Sequence, residues 1–439
     1  MVSKVFLKEV QVIDPTSPLH QKTCSLVFSS GQLRSAEDGE TPADDMVVWD
    51  GRSGARCVSL GWWDGQVDFG CPGSEEREGI ASGLKAAAAG GFTDVTHVPT
   101  TSPVMDSQAD IIFLKQQAHT TAIPTRIHPL GSLSRGLEGQ SLSDMQELRS
   151  AGAVGFSEGG SVDSPELLRR ALEYLRPNGT AVLAQPMERK LHRDALMNEG
   201  ITSTVMGLQG TPPEAESMRL RRDLDILRYT GGHLHLPIIT TQMACDEVSR
   251  AKSEGLNVTC GTTAFHLLHT DADLAGFDGG LKVMPPFRSE SDRVALCKAV
   301  WDGTIDCIVS DHCPWNLERH DVEFMLVPFG IAGIEWTYPL LNRALQLAKP
   351  EASIQEVTTR VIELLAMSPR RIFQGLIAKE GGLMTSESIS LTFFDPMADW
   401  SPLGESRAAN APKNAESERG LQLGIITDKG ALTLRPEAH

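Results

Sequence analysis

The sequence lacks long apolar runs and closely spaced cysteine pairs, and it has fewer positive than negative charges. No stretch reaches the roughly 20 apolar residues of a membrane helix, and Met1 to Asp14 does not have the pattern of a signal peptide. The eight cysteines are scattered without a CxxC motif, which argues against a zinc ribbon or a disulfide scaffold and predicts free thiols in the cytoplasm. The net charge of -17 argues against nucleic acids and anionic membranes as partners.

What the chain does contain is a regular alternation of strand-like and helix-like segments. Its 439 residues, 41% of them hydrophobic, suffice for one large domain and a smaller one. The segment from Cys57 to Pro103 has an apolar strand, a polar loop, a run of small helix formers and a second strand. Because the same rhythm continues along most of the chain, it predicts a parallel sheet and, at this length, a (β/α)8 barrel.

Several motifs in this barrel region are long and specific. The first unit contains Asp64, Pro72-Gly73, Ser82-Gly83 and the run from Ala86 to Phe92. Further along the chain, Leu281 to Arg288 reads LKVMPPFR, and Asp302 to Pro314 reads DGTIDCIVSDHCP. Together these motifs resemble those of the dihydroorotases, a family of cyclic amidohydrolases. The resemblance implies a TIM-like (β/α)8 barrel over residues 59–375, with a small β-sandwich domain built from residues 1–58 and 376–439.

The chemistry that the resemblance implies needs two divalent metals, which polarise a ring carbonyl and activate a water molecule. Imidazoles and carboxylates hold such metals. The segment from Gly152 to Phe156 is equated with the family's third strand, and the strand from Ala181 to Ala184 with its fourth. The positions equated with the ligands are Gln66 and Asp68 for the first histidine pair, Glu158 for the bridging ligand, Pro186 and Ile238 for two later histidines, and Asp311 for the last ligand and general base. Only Asp311 keeps the side chain that the family pattern requires.

The positions that match the family's substrate contacts are also mostly substituted. They are Gly70, Thr100, Met284, Trp315, Phe329 and Gly330. Gly70 stands where the family has the arginine that pairs with the substrate carboxylate, and only the Phe329-Gly330 pair is retained. The losses fall in separate loops while the structural glycines and prolines persist. This pattern predicts a retained barrel that binds no metal, with Asp311 as a vestigial general base.

Three functions are compatible with these residues. The preferred one is a non-catalytic pseudo-dihydroorotase of pyrimidine biosynthesis, a homodimer that acts as a structural partner. The resemblance suggests the aspartate transcarbamoylase catalytic chain as that partner. The alternative is an active dihydroorotase or other cyclic-amide hydrolase, with zinc, or with magnesium or manganese held by Asp68, Glu158 and Asp311. The third is a ligand-binding barrel whose pocket is lined by Trp315, Met284 and Ile238.

Asp311 also has a purely structural interpretation, in which its carboxylate bonds the backbone or Lys282.

Overall fold

The computed structural model describes residues 4–29, 31–374, 383, 390–412, 418–435 and 438. The strands are β1 Lys4–Ile13, β2 Thr23–Ser29, β3 Gln32–Ser35, β4 Val47–Asp50, β5 Cys57–Leu60, β6 Trp62–Val67, β7 Phe92–His97, β8 Arg126–Pro129, β9 Gly131–Ser132, β10 Gly155–Ser157, β11 Ala181–Leu183, β12 Met197–Asn198, β13 Gly210–Thr211, β14 His233–Leu236, β15 Val258–Thr263, β16 Cys307–Val309, β17 Leu391–Asp399, β18 Arg419–Thr427 and β19 Gly430–Thr433. The helices are α1 Ile80–Ala89, α2 Gln108–Thr120, α3 Met145–Ala151, α4 Pro165–Leu175, α5 Arg189–His192, α6 Ile201–Met206, α7 Glu214–Thr230, α8 Gln242–Ser253, α9 Glu290–Trp301, α10 Leu317–His320, α11 Thr337–Ala348, α12 Ile354–Ile362 and α13 Ser368–Gln374.

Parallel strands close a barrel in the middle of the chain. β6, β7 and β8 pair in that order, β8 continues through Leu130 into β9, and β9, β10, β11, β14, β15 and β16 pair in sequence. A parallel bridge between Val67 and His312 joins the last strand position back to the first. With β8 and β9 counted as one strand, the barrel has eight strands, and the predicted (β/α)8 architecture is confirmed. Within the described residues, no helix is both long enough and apolar enough to cross a bilayer.

Strands from both ends of the chain form a second sheet, as the family resemblance implies. Its order is β19-β18-β17-β5-β1-β2-β3, and β4 pairs with β1. Trp49 of β4 stacks on Phe393 of β17 with ring centroids 5.4 Å apart, so the core of this domain joins the two termini.

The apolar strand predicted at the start of the segment from Cys57 to Pro103 is two strands in the structure. β5 belongs to the terminal sheet and β6 to the barrel, and the chain passes between them at Gly61. A Cβ atom at Gly61 would lie 2.2 Å from the hydroxyl oxygens of Ser390 and Thr93, so only glycine fits this crossing. The predicted domain boundary at residue 58 therefore falls inside β5. The second boundary, between residues 375 and 376, lies outside the described residues.

The connection between β17 and β18 crosses the barrel rather than extending away from it. Its described part, 400–412 and 418, has no regular secondary structure. The carboxylate of Glu335 accepts hydrogen bonds from the backbone amides of Leu403, Gly404 and Glu405 at 2.9–3.1 Å. These bonds hold the crossing segment against the carboxyl ends of the barrel strands, where parallel α/β barrels place their functional residues.

Candidate functional site

Asp311 lies at the carboxyl end of β16 and is held by a residue of the first barrel strand. The side-chain amide of Gln66 in β6 donates to Asp311 Oδ1 at 2.7 Å. Burial and the nearby carboxylates of Asp64 and Asp68 together raise the pKa of Asp311 to about 7, while the Gln66 hydrogen bond and His312 oppose the shift. Asp311 also has a φ of 50°, a left-handed conformation that is uncommon outside glycine.

The expected contact between Asp311 and Lys282 is wrong. The Lys282 ammonium group instead donates to the carbonyl oxygens of Phe324 and Val327 at 2.8 and 2.7 Å. Lys282 therefore stabilises a loop at the barrel mouth and leaves Gln66 as the partner of Asp311. Both partners occupy positions that the family resemblance equates with metal ligands.

Asp68, the second position of the expected histidine pair, is neutralised by a cation from its own loop. Arg77 Nη1 lies 2.9 Å from Asp68 Oδ2, and the side chains are only 11% and 21% exposed. Arg77 also donates to the carbonyl oxygen of Pro314 at 2.9 Å and to the sulfur of Cys313 at 3.1 Å. The guanidinium group thus fills the space beside Asp68 and ties the loop after β6 to the loop after β16.

Trp315 covers the other face of this arginine. The centre of the Arg77 guanidinium lies 4.3 Å from the Trp315 ring centroid, a distance that suits a cation–π interaction. The Trp315 indole donates to the carbonyl oxygen of Phe329 at 2.9 Å. A residue predicted as a substrate contact is therefore used to hold Arg77 in place.

The segment that crosses the barrel forms hydrogen bonds with the loops that carry Trp315 and Gly330. Asn410 Oδ1 accepts from the backbone amide of Trp315 at 2.9 Å. Its side-chain amide donates to the carbonyl oxygens of Cys313 and Gly330 at 3.0 and 3.1 Å. Because Asn410 satisfies three backbone groups at once, it couples the C-terminal segment to the loops that carry Asp311 and Phe329.

Glu158 lies apart from this ion pair. Its two carboxylate oxygens accept from the backbone amide and hydroxyl of Ser134 at 2.6 and 3.0 Å, and burial raises its pKa. Counted around the barrel, β10 before Glu158 is the fourth strand and β11 before Pro186 is the fifth, so the strand numbers taken from the resemblance are each one too low.

The two later ligand positions offer no metal donor. Ile238 is 1% exposed and packs in an apolar cluster with Trp63 and Val309. Pro186 is buried and its ring carries no donor atom. The barrel interior at Ile238 is thus filled by hydrocarbon.

One of the substituted substrate positions, Gly70, is set by a constraint of the backbone. Gly70 has a φ of 69°, and a Cβ there would lie 2.6 Å from the carbonyl oxygen of Ser74, so no arginine fits at this position. A Cβ at Gly159 would lie 2.0 Å from Cγ2 of Thr100, which places Thr100 against the loop that carries Glu158. Met284 is partly buried.

A buried acid–base pair lies beneath the site and was missed by the sequence analysis. His312 Nε2 lies 2.6 Å from Glu78 Oε2, and both side chains are 0% exposed. Burial alone would raise the pKa of Glu78, but His312 and the hydroxyls of Ser406 and Ser82 lower it.

The metals that the family chemistry requires do not fit these residues. Within the described segments, no group of three or more histidine, cysteine, aspartate or glutamate side chains could hold a metal ion. Asp68 is paired with Arg77, Glu158 with Ser134 and Asp311 with Gln66. The magnesium or manganese site predicted from these three carboxylates is therefore not gathered by the structure, and metal content stays a prediction.

A cavity of about 1030 Å³ has none of the candidate metal-ligand positions in its lining. Phe265, Trp301, Trp336 and Leu340 form its apolar walls. None of the residues predicted to line an apolar pocket, Trp315, Met284 and Ile238, contributes to it.

Comparison with known proteins shows the family of this chain. The family model described as "Dihydro-orotase-like" matches residues 57–244. A dihydroorotase of Geotalea daltonii is 35% identical over 429 residues, which cover 97% of this chain and 98% of that protein. A dihydroorotase of Anaeromyxobacter dehalogenans is 35% identical over 403 residues, with coverage of 91% and 90%. The chain therefore belongs to the dihydroorotase-like family.

A solved structure supports the fold. The L-hydantoinase (dihydropyrimidinase) from Arthrobacter aurescens superposes with a TM-score of 0.82 at 18% identity, covering 98% of this chain and 96% of that chain. At this identity the likeness concerns the architecture alone.

Proposed function

We propose that this chain is a dihydroorotase-family barrel that has lost the binuclear metal chemistry and has no hydrolytic turnover. The observation that carries the proposal is the set of protein partners at the ligand positions. Gln66 donates to Asp311, and Arg77 pairs with Asp68. Since each carboxylate already has a partner from the chain, a metal would have to displace both an amide and a guanidinium before it could bind.

An active cyclic amidohydrolase is the second candidate, and the comparisons favour it. The relatives at 32–35% identity over more than nine-tenths of the chain share the name dihydroorotase, while they give no support to a non-catalytic role. In that case Asp311 would act as the general base at a metal site formed after Arg77 and Gln66 move away.

One experiment separates the two candidates. Metal content by elemental analysis is measured on protein purified without chelators, beside a dihydroorotate hydrolysis assay with added zinc, magnesium or manganese. The proposal expects far less than one metal per chain and no turnover. One or two metals per chain with turnover, abolished in the matched variant Asp311→Asn, would establish the active enzyme instead.

The role of a non-catalytic barrel follows from the family resemblance. We propose a structural subunit in pyrimidine biosynthesis, a homodimer, with the catalytic chain of aspartate transcarbamoylase as its partner. A cytoplasmic location agrees with the eight cysteines, all of which are free. Co-purification of the two chains at fixed stoichiometry tests the partnership, and separate elution at micromolar concentration would contradict it.

A further inference from the structure

The cavity of about 1030 Å³ is lined mainly by α9, by α11 and by the segment that follows β15. Its buried apolar members are Phe265, Cys297, Trp336 and Leu340, with exposed fractions of 3–6%. Small-molecule sites in proteins are typically apolar cavities of roughly 300–1,000 Å³ with a few polar groups. The volume and the lining of this cavity are therefore those of a site for an organic molecule.

Exposed side chains of both helices show that the cavity opens to solvent. Val294 of α9 and Leu347 of α11 belong to its lining and are 53% and 60% exposed. Since exposed and buried apolar side chains line the same space, the cavity extends from the surface to the buried side chains beneath. A small molecule can therefore enter it while both helices stay folded.

Two lysines and one indole form a polar part of the lining, called here the cationic group: Lys298, Trp301 and Lys349. Lys298 and Trp301 are three residues apart in α9, so their side chains are neighbours on its surface. The Lys349 ammonium nitrogen lies 5.0 Å from the centroid of the Trp301 ring. Within the described residues neither lysine forms an ion pair, and Nε1 of Trp301 is buried without a hydrogen-bond partner. The cationic group therefore has two positive charges and a donor to offer to a ligand.

Most other charged side chains of the lining are already paired. The ion pairs are Arg343 with Glu418 at 2.6 Å, Arg293 with Glu290 at 2.6 Å and His269 with Asp273 at 3.5 Å. Asp278 has no ion pair in the described part of the chain, and its Oδ1 accepts from the backbone amide of Gly280 at 2.9 Å. The lining is thus left with the two lysine charges against the one negative charge of Asp278.

We propose that this cavity binds a small aromatic anion, with its ring against the apolar walls and its anionic group at the cationic group. A neutral molecule would leave the two lysines unpaired, and a cation would be repelled by them. Since the chain carries a net charge of -17, most of its surface repels anions, so tight binding of an anion requires a local positive site. The binding needs neither a metal nor turnover, so its test is independent of the proposed function.

The first test titrates the full chain with anilinonaphthalene sulfonate, an aromatic sulfonate whose fluorescence rises in apolar surroundings. Phenylnaphthylamine, which has the same rings without the sulfonate, is the neutral comparison. We expect one bound sulfonate dye per chain with a micromolar Kd, and binding of the neutral dye that is about 10-fold weaker. Absence of saturable binding of the sulfonate dye would overturn the proposal, and so would equal affinity for the two dyes.

The second test removes the charges of the cationic group. The double variant Lys298→Gln with Lys349→Gln is expected to bind the sulfonate dye about 10-fold more weakly and the neutral dye as the wild type does. The matched control is Lys85→Gln with Lys190→Gln, because both lysines are helical and exposed and neither lines the cavity. It changes the net charge equally, so an equal effect of the two double variants would contradict a local anion site.

The third test fills the cavity. Ala348 is an exposed lining residue at the end of α11, so Ala348→Trp adds bulk there without disturbing the buried core. Its expected result is a loss of at least about 10-fold in affinity for the sulfonate dye, with an unchanged thermal unfolding midpoint. Ala109→Trp, at an exposed position of α2 outside the lining, is expected to bind as the wild type does. If Ala348→Trp also binds as the wild type does, the dye lies elsewhere and the proposal is wrong.

Discussion

The pair formed by Arg77 and Asp68 provides the sharpest test of how the site is held together. Arg77→Met keeps much of the hydrocarbon stem but removes the charge, the 2.9 Å contact with Asp68 and the hydrogen bonds to Pro314 and Cys313. Asp68→Asn keeps Oδ1, which accepts from the Gly70 amide at 2.9 Å. It replaces Oδ2, the acceptor of the Arg77 hydrogen bond, by an amide nitrogen, and so removes both the charge and that bond. Each of the two variants therefore removes one partner of the ion pair between Arg77 and Asp68.

The structure sets the size of the expected effects. Removing one partner of a largely buried ion pair leaves the other unpaired and costs about 3–5 kcal/mol. We expect about 3 kcal/mol for Arg77→Met and about 2 kcal/mol for Asp68→Asn, since Arg77 keeps its bonds to Pro314 and Cys313 in the second variant. The double variant loses the pair only once, so its cost is expected to fall short of the sum by about 1–2 kcal/mol.

Urea denaturation of the wild type, the two single variants and the double variant measures this coupling. Arg228 and Glu254 serve as a matched control, because they approach to 2.7 Å but are 47% and 40% exposed. A double-variant cycle with Arg228→Met and Glu254→Gln is expected to give less than about 1 kcal/mol. If the coupling between positions 77 and 68 is no larger than this control, the guanidinium does not neutralise Asp68 and the argument for a filled site fails.

Three further predictions concern neighbouring positions. Because the pKa of Asp311 is raised from 3.8 to about 7, its carboxyl stays neutral in the folded chain while it ionises in the unfolded chain, so wild-type stability falls as pH rises from about 4 to about 7. Asp311→Asn avoids this loss and is expected to be about 2 kcal/mol more stable than wild type at pH 8 but equally stable near pH 4; destabilisation at pH 8 would indicate a bound metal instead. Asn410→Ala is expected to lower the free energy of unfolding, measured by urea denaturation, by about 3 kcal/mol, because three backbone groups lose their hydrogen-bond partner. An unchanged urea midpoint would contradict the conclusion that the crossing segment stabilises the loops of the site. Gly70→Ala is expected to lower the free energy of unfolding by about 3 kcal/mol, and Gly255→Ala by only about 1 kcal/mol. Both glycines have a positive φ, but only Gly70 has a backbone atom within 3 Å of the added Cβ. Equal losses of stability would show that backbone conformation alone matters.

The sequence predicts structure well where an element depends only on residues close to it along the chain. The small residues from Ala86 to Ala89 and the turn at Gly90-Gly91 predict α1 and the start of β7, and the structure has both. The split at Gly61 was not predictable, because it depends on Thr93 and Ser390, and Ser390 lies more than 300 positions away.

The partners within the site were also beyond the sequence. The resemblance directs attention to Gly70 as the missing arginine position, whereas the structure supplies a guanidinium from Arg77, seven positions later. A lone arginine in the acidic run from Glu75 to Glu78 was the available signal, but residue spacing in an irregular loop does not determine where a side chain points. Likewise, Gln66 and Asp311 are 245 positions apart, so only the closure of the barrel reveals their contact.

The substitutions at the ligand positions have a common electrostatic consequence. Asp64, Asp68 and Asp311 converge at the barrel mouth, and their charges would repel in a poorly solvated space unless something compensates them. In a metal-dependent barrel the cations provide that compensation. Here Arg77 compensates Asp68, and burial raises the pKa values of Asp64 and Asp311 to about 6 and about 7, which reduces their ionisation near neutral pH. A mouth that is neutralised by its own arginine and by bound protons can fold without metal. A histidine restored at position 66 alone would meet a partly protonated Asp311, and beside it an Asp68 already paired with Arg77, rather than an open coordination site.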